Sequence, residues 1–163
     1  MPRPNPPADG GVNQSGVWSF YHPDTVITVG TLPAVSSPGG RDERALAALC
    51  AERGARAAAA AGRPPLPAPA GAAYAVYVIG ERDYNEPSAL FASVDLGHSW
   101  VPLSGASSPT PTQGLGDTPT ALEASAKEPG VLYVGTGGRG VFARDVSAEL
   151  VAALLACEGE WGA

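Results

Sequence analysis

The sequence is poor in charge and in aromatic side chains: 16% of its 163 residues are charged and 7% are aromatic. No apolar run approaches the roughly 18–20 residues that span a bilayer, which argues against a membrane segment. Acidic residues outnumber basic ones by 16 to 10, and the basic ones do not cluster, which argues against nucleic acid as a partner. The start, Met1–Pro7, lacks the apolar stretch of a secretory signal. We therefore expect a chain that is intracellular or has lost its leader.

Only two cysteines are present, too few for a disulfide scaffold, and neither has metal-ligand spacing around it. Because nothing in the sequence indicates that Cys50 and Cys157 lie close together, we expect both to be unpaired small apolar residues. The glycine-rich run at 135–140 follows one strand and precedes another rather than a helix, which indicates a hairpin turn and not a phosphate site. The sequence thus predicts no metal and no cofactor.

The composition changes sharply along the chain, with Pro and Gly concentrated between apolar stretches. Residues 41–61 favour a helix by propensity, but their apolar side is mostly methyl groups, so we expect this helix to bury little. We divide the chain into a disordered tail (1–16), a segment with one short strand (17–32), a low-complexity Ala/Pro-rich insertion (33–70), a β-rich unit (71–146) and a C-terminal helix with its tail (147–163).

Short β-branched and aromatic runs bounded by Gly, Pro and Asp predict an all-β, antiparallel fold. The predicted strands are 26–29, 74–79, 89–94, 100–103, 120–125, 131–135 and 141–144. Ser147 is expected to cap a final helix at 148–157, with Leu150, Val151, Leu154 and Leu155 on one face.

An internal repeat relates Tyr77–Gly80 to Tyr133–Thr136 and Leu90–Asp95 to Val141–Asp145. The offset of roughly 50 residues is in the range of one propeller blade. The sequence therefore predicts a partial β-propeller of about one and a half antiparallel blades. The sheet would end in an unpaired edge that favours self-association, unless the strand at 26–29 occupies it.

Residues 93–100 (SVDLGHSW) fit the Asp-box pattern S-x-D-x-G-x-[ST]-W, a tight turn between two strands. Ser93 and Asp95 can accept bonds from backbone N–H groups, Gly97 permits positive φ, and Trp100 can pack under the turn. This pattern favours a structural role for Asp95 over a catalytic one. His98, inside the turn, is expected to be exposed and inert.

On these residues the chain resembles glycoside hydrolase family 74, the xyloglucanase-type β-propeller enzymes. The resemblance is to the carboxy-terminal blades only, and three stretches carry it: Gly71–Gly80, Leu90–Trp100 and Glu128–Phe142. It implies an extracellular protein whose partner is xyloglucan or a related β-glucan. In that family two aspartates on different propellers act as general acid and base, and no stretch here matches either, so we expect no catalytic residue in this chain.

The loop holding Asp83, Tyr84 and Glu86 is the candidate substrate-binding segment, since an aromatic ring beside carboxylates could stack on a sugar; the alternative is a solvated turn. Arg139 is expected to form a structural salt bridge or, alternatively, to contact a ligand. Three hypotheses remain. The chain is a fragment or degenerate relative of a xyloglucanase-like hydrolase, a non-catalytic Asp-box module that binds polysaccharide or protein as sortilin-type propellers do, or a decayed product of which only the β-part folds.

Overall fold

The computed structural model describes residues 26–64, 73–80, 89–103 and 119–161. Within these ranges the chain is mostly β, with strands in two antiparallel sheets and a helix at the C-terminal end, as predicted. The elements, in chain order, are β1 (Val26–Thr31), α1 (Glu43–Ala60), β2 (Tyr74–Gly80), β3 (Ala89–Ser93), β4 (Val101–Pro102), β5 (Pro119–Ala124), β6 (Val131–Thr136), β7 (Gly140–Asp145) and α2 (Ser147–Trp161).

The first sheet contains four strands in the order β1-β2-β3-β4, so each strand pairs with the next along the chain. Val29 of β1 lies opposite Val76 of β2, and Val78 of β2 lies opposite Phe91 of β3. The strand predicted at 26–29 therefore starts the first sheet. The suggestion that it occupies the edge of the last strand is wrong.

The second sheet has the order β5-β6-β7, with Val134 lying between Leu122 and Phe142. Over the described residues it repeats the antiparallel order of β1, β2 and β3 and has no counterpart of β4. The two sheets stay separate over the described residues, and they do not close into a propeller there.

The inner faces of the two sheets meet at a close contact between β1 and β5. A β-carbon placed on Gly30 would lie 2.7 Å from the β-carbon of Ala124 and 3.0 Å from the ring of Tyr77. Tyr77 itself is fully buried. Gly30 is required because any side chain at this position would force the sheets apart.

Helix α1 begins where the sequence predicted a helix, after an N-cap at Asp42 whose carboxylate accepts a bond from Ala45 N at 3.0 Å. It packs on the core with a narrow face repeating every fourth residue, and the buried residues are Leu46, Ala47, Cys50, Gly54 and Ala58. The expectation that this segment of the 33–70 insertion buries little is therefore wrong. Its side chains are small, but small side chains allow the helix to approach the sheet closely.

Helix α2 buries Leu150 and Leu154 as predicted, and it packs against α1. Cys157 of α2 is bonded to Cys50 of α1 in a disulfide, so the expectation of unpaired cysteines is also wrong. The cap differs from the prediction as well: Ser147 is the first helical residue, and its N–H donates to Asp145 Oδ1 at 2.9 Å.

Candidate functional site

The Asp-box turn lies between β3 and β4, and a cluster of side-chain hydrogen bonds holds it together. Ser93 ends β3, and its hydroxyl accepts a bond from Gly97 N at 2.8 Å across the turn. Leu96 and Gly97 both have positive φ, of 60° and 85°. The turn is left-handed at two successive residues, a conformation that glycine adopts without strain.

Asp95 lies at the centre of the turn, and its side chain accepts hydrogen bonds from within it. Oδ1 accepts from Ser93 Oγ and from Ser99 N, both at 2.8 Å, and Oδ2 accepts from Ser99 Oγ at 2.5 Å. The residue is 1% exposed. The negative charge is thus enclosed by donors that hold both ends of the turn together.

A cation from α1 completes this cluster. Arg53 Nη2 lies 3.4 Å from Asp95 Oδ2 and 3.3 Å from Ser99 Oγ. A buried carboxylate needs a compensating charge or a full set of donors, and here it has both. The helix therefore contributes directly to the Asp-box.

The same helix fits against the turn because of a glycine next to Arg53. A β-carbon placed on Gly54 would lie 2.5 Å from His98 Cδ2 and 2.9 Å from the backbone oxygen of Asp95. The imidazole of His98 thus lies against the backbone of α1 and is half-buried, so the expectation that it is exposed is wrong.

Trp100 follows the turn immediately before β4. A β-carbon placed on Gly97 would lie 3.5 Å from its Cζ2 atom, so the indole lies beside the turn at van der Waals distance. The four Asp-box residues singled out from the sequence, Ser93, Asp95, Gly97 and Trp100, are brought together in one hairpin.

Arg53 and Gly54 are the residues that sequence reasoning missed. A glycine in the interior of an Ala-rich helix costs about 1 kcal/mol of helix propensity, so it could have indicated a close contact with another element. Which element it contacts depends on tertiary packing.

The other candidate residues contribute less to this site. Asp83, Tyr84 and Glu86 lie outside the described residues. Arg139 is exposed in the β6–β7 turn, where its N–H donates to Thr136 Oγ1 at 3.1 Å. Among the described residues, no group of three or more His, Cys, Asp or Glu side chains could hold a metal ion. Neither described helix is long and apolar enough to cross a membrane.

The cluster has limited chemistry of its own. Asp95 is buried and already accepts from Ser93, Ser99 and Arg53, so a polysaccharide outside the turn cannot exchange a proton with it. The arrangement can hold a hairpin and a helix in fixed positions. No family model, no curated protein and no solved structure matches this chain.

Proposed function

We propose that the chain is a non-catalytic Asp-box β-propeller unit, a fragment or degenerate relative of a xyloglucanase-like glycoside hydrolase that binds β-glucan without cleaving it. The observation that carries the proposal is the position of the Asp-box. It joins the third and fourth strands of a four-stranded antiparallel sheet, as the hairpin of a propeller blade would. Its aspartate is buried and accepts hydrogen bonds from within the turn.

The second sheet supports the propeller part of the proposal. Its three strands follow the same antiparallel order as the first three strands of the other sheet, and they carry the sequence repeat. In this interpretation the first sheet would be one blade and the second sheet part of another, about one and a half blades in all.

The non-catalytic part of the proposal rests on the chemistry that glycoside hydrolysis requires. Two carboxyl groups must face each other across the substrate, about 5–5.5 Å or about 6.5–9.5 Å apart. Asp95 is enclosed by its turn. We assign binding instead to the segment with Asp83, Tyr84 and Glu86, because the phenol ring of Tyr84 could stack on a pyranose face.

The disulfide supports an extracellular location. Such bonds form and persist in oxidising compartments and are rare in the reducing cytosol. The Cys50–Cys157 bond joins two buried residues that are 107 positions apart in the sequence. A secreted protein that binds cell-wall polysaccharide would be exposed to such an oxidising environment.

Calorimetry with xyloglucan oligosaccharides, together with a reducing-sugar assay, tests the proposal. We expect binding and no hydrolysis, with binding lost in Tyr84→Ala and kept in Tyr74→Ala, a matched change at an exposed tyrosine of β2. Asp95→Asn should lower the melting temperature and leave affinity per folded molecule unchanged. Hydrolysis at ordinary enzyme rates of about 1–10³ per second, or no binding of any β-glucan, would contradict the proposal.

A further inference from the structure

Strand β7 exposes an apolar edge of the second sheet. Among the described residues only β6 pairs with it. Val141 is 72% exposed and Phe142 is 41% exposed, and adjacent strand residues point to opposite faces, so both faces of the strand are apolar at this edge. Such an edge is a template for pairing with another strand.

The backbone groups that face outward from β7 can be assigned from one hydrogen bond. Val146 N donates to Gly130 O at 2.8 Å, continuing the antiparallel ladder between β6 and β7. Backbone groups alternate along such a ladder, so the even-numbered residues of β7 bond to β6. The N–H and C=O groups of Val141 and Ala143 therefore point away from β6.

This alternation selects a register in which β7 pairs with itself. When Phe142 lies opposite Phe142 of a second copy on a two-fold axis, Val141 lies opposite Ala143 of that copy. By symmetry Ala143 lies opposite Val141 of that copy, and each of these two Val141–Ala143 pairs can exchange both of its backbone hydrogen bonds. In the same register Arg139, in the turn immediately before β7, comes close to Asp145 at the end of β7 of the second copy, so opposite charges meet at both ends of the pairing.

The charged residues on this strand do not protect the edge against pairing. Arg144 is engaged within its own chain, with Glu149 at 3.0 Å and with the backbone oxygen of Leu103. The four residues 140–143, between Arg139 and Arg144, carry no charge. Natural edge strands are commonly protected by charge or proline at such positions.

We propose that the protein forms a two-fold symmetric dimer in which β7 pairs antiparallel with β7 of a second copy, joining the two three-stranded sheets into one continuous sheet. The proposal uses only the described residues of β6 and β7 and does not depend on the proposed function. We expect the same dimer whether or not the protein binds a polysaccharide.

Light scattering coupled to size exclusion tests the proposal on the full chain. We expect a mass twice that of the 16.4 kDa monomer. Val141→Lys should return the mass to that of the monomer, because it places a charge at the edge while the exposed position tolerates lysine in the monomer. Ile27→Lys is the matched control, since Ile27 is 63% exposed on the first sheet and the change should leave the dimer intact.

A second variant tests the backbone pairing separately from the side chains. Ala143→Pro removes an N–H that points to the second copy and none that bonds to β6, so we expect a folded monomer. Arg139→Asp should weaken the dimer at least tenfold, because two carboxylates would then lie opposite each other. A wild-type protein that stays at 16.4 kDa, or a Val141→Lys variant that dimerises like Ile27→Lys, would overturn the proposal. Slow hydrogen exchange at Val141 and Ala143 in a wild-type monomer would also overturn it, by indicating that another segment of the same chain occupies the edge.

Discussion

Removing the Cys50–Cys157 disulfide should strongly destabilise the protein. The two half-cystines are fully buried, and the bond closes a loop with a sequence separation of 107. Closing a loop of about 100 residues lowers the entropy of the unfolded chain by an amount worth about 4.7 kcal/mol. Removing a native disulfide from a small domain lowers the free energy of unfolding by about 2–5 kcal/mol. For the double variant Cys50→Ala with Cys157→Ala we therefore expect that free energy to fall by about 3–5 kcal/mol.

A loss of this size is a large part of the roughly 5–15 kcal/mol that stabilises an ordinary domain. For a chain of this size each 1 kcal/mol shifts the melting temperature by about 2–4 °C, so we expect a drop of roughly 6–20 °C. Urea unfolding followed by circular dichroism measures the free energy directly. Thiol titration of denatured wild-type protein should find no free thiol.

The single variant Cys50→Ala serves as the control, because it already removes the cross-link. We expect it to be nearly as unstable as the double variant, with the second substitution adding little. If the double variant unfolds at the same urea concentration as wild type, the bond does not hold α1 and α2 together and the reasoning is refuted. Two free thiols in denatured wild-type protein would refute the bond itself.

Three further predictions concern single residues. Gly54→Ala should lower the free energy of unfolding by about 1–3 kcal/mol, because the new β-carbon would collide with the ring of His98 in the turn. Gly159→Ala in α2 is the control: nothing lies within 4 Å of its β-carbon, so it should raise that free energy by up to about 1 kcal/mol. Urea unfolding of both variants measures the two changes. Tyr77→Phe should raise the unfolding free energy by about 1 kcal/mol, since the buried hydroxyl has no hydrogen-bond partner in the described part of the chain. Burial raises the pKa of Tyr77 from 10.0 to about 12, so wild type but not the variant should lose stability as the pH rises through that window. Hydrogen bonds from the side chain and backbone of Ser147 lower the pKa of Asp145, so Asp145→Asn should be less stable than wild type near neutral pH, with the melting curves converging as acid protonates the carboxylate.

The strands could be predicted from sequence because their signals are local. The run YAVYVIG, ending at Gly80, combines β-branched and aromatic residues with a turn residue, and β2 covers these seven positions. The Asp-box was predictable for the same reason: Ser93, Asp95 and Gly97 bond within five residues of one another. Neither inference needs information about the rest of the chain.

The packing of α1 could not be predicted because its signal is distributed over the fold. An Ala-rich face gives little hydrophobic contrast, so the sequence of residues 43–60 does not show which side is buried. Leu46 is the one large apolar side chain on that face that is fully buried. The partner of Cys50 is more than one hundred residues away and becomes its neighbour only after both helices have packed.

The position of α1 explains how the two separate sheets are held together. The helix leaves the first sheet after β1 and contacts the β3–β4 turn through Arg53 and Gly54. One turn earlier, Cys50 bonds it to α2, which follows directly on the second sheet. The two sheets are therefore held together both at their inner faces and by a covalent link between the helices. Part of this support comes from α1, which lies in the segment that composition marks as an insertion. Removing that segment would therefore separate the Asp-box turn and the second sheet from elements that hold them in place.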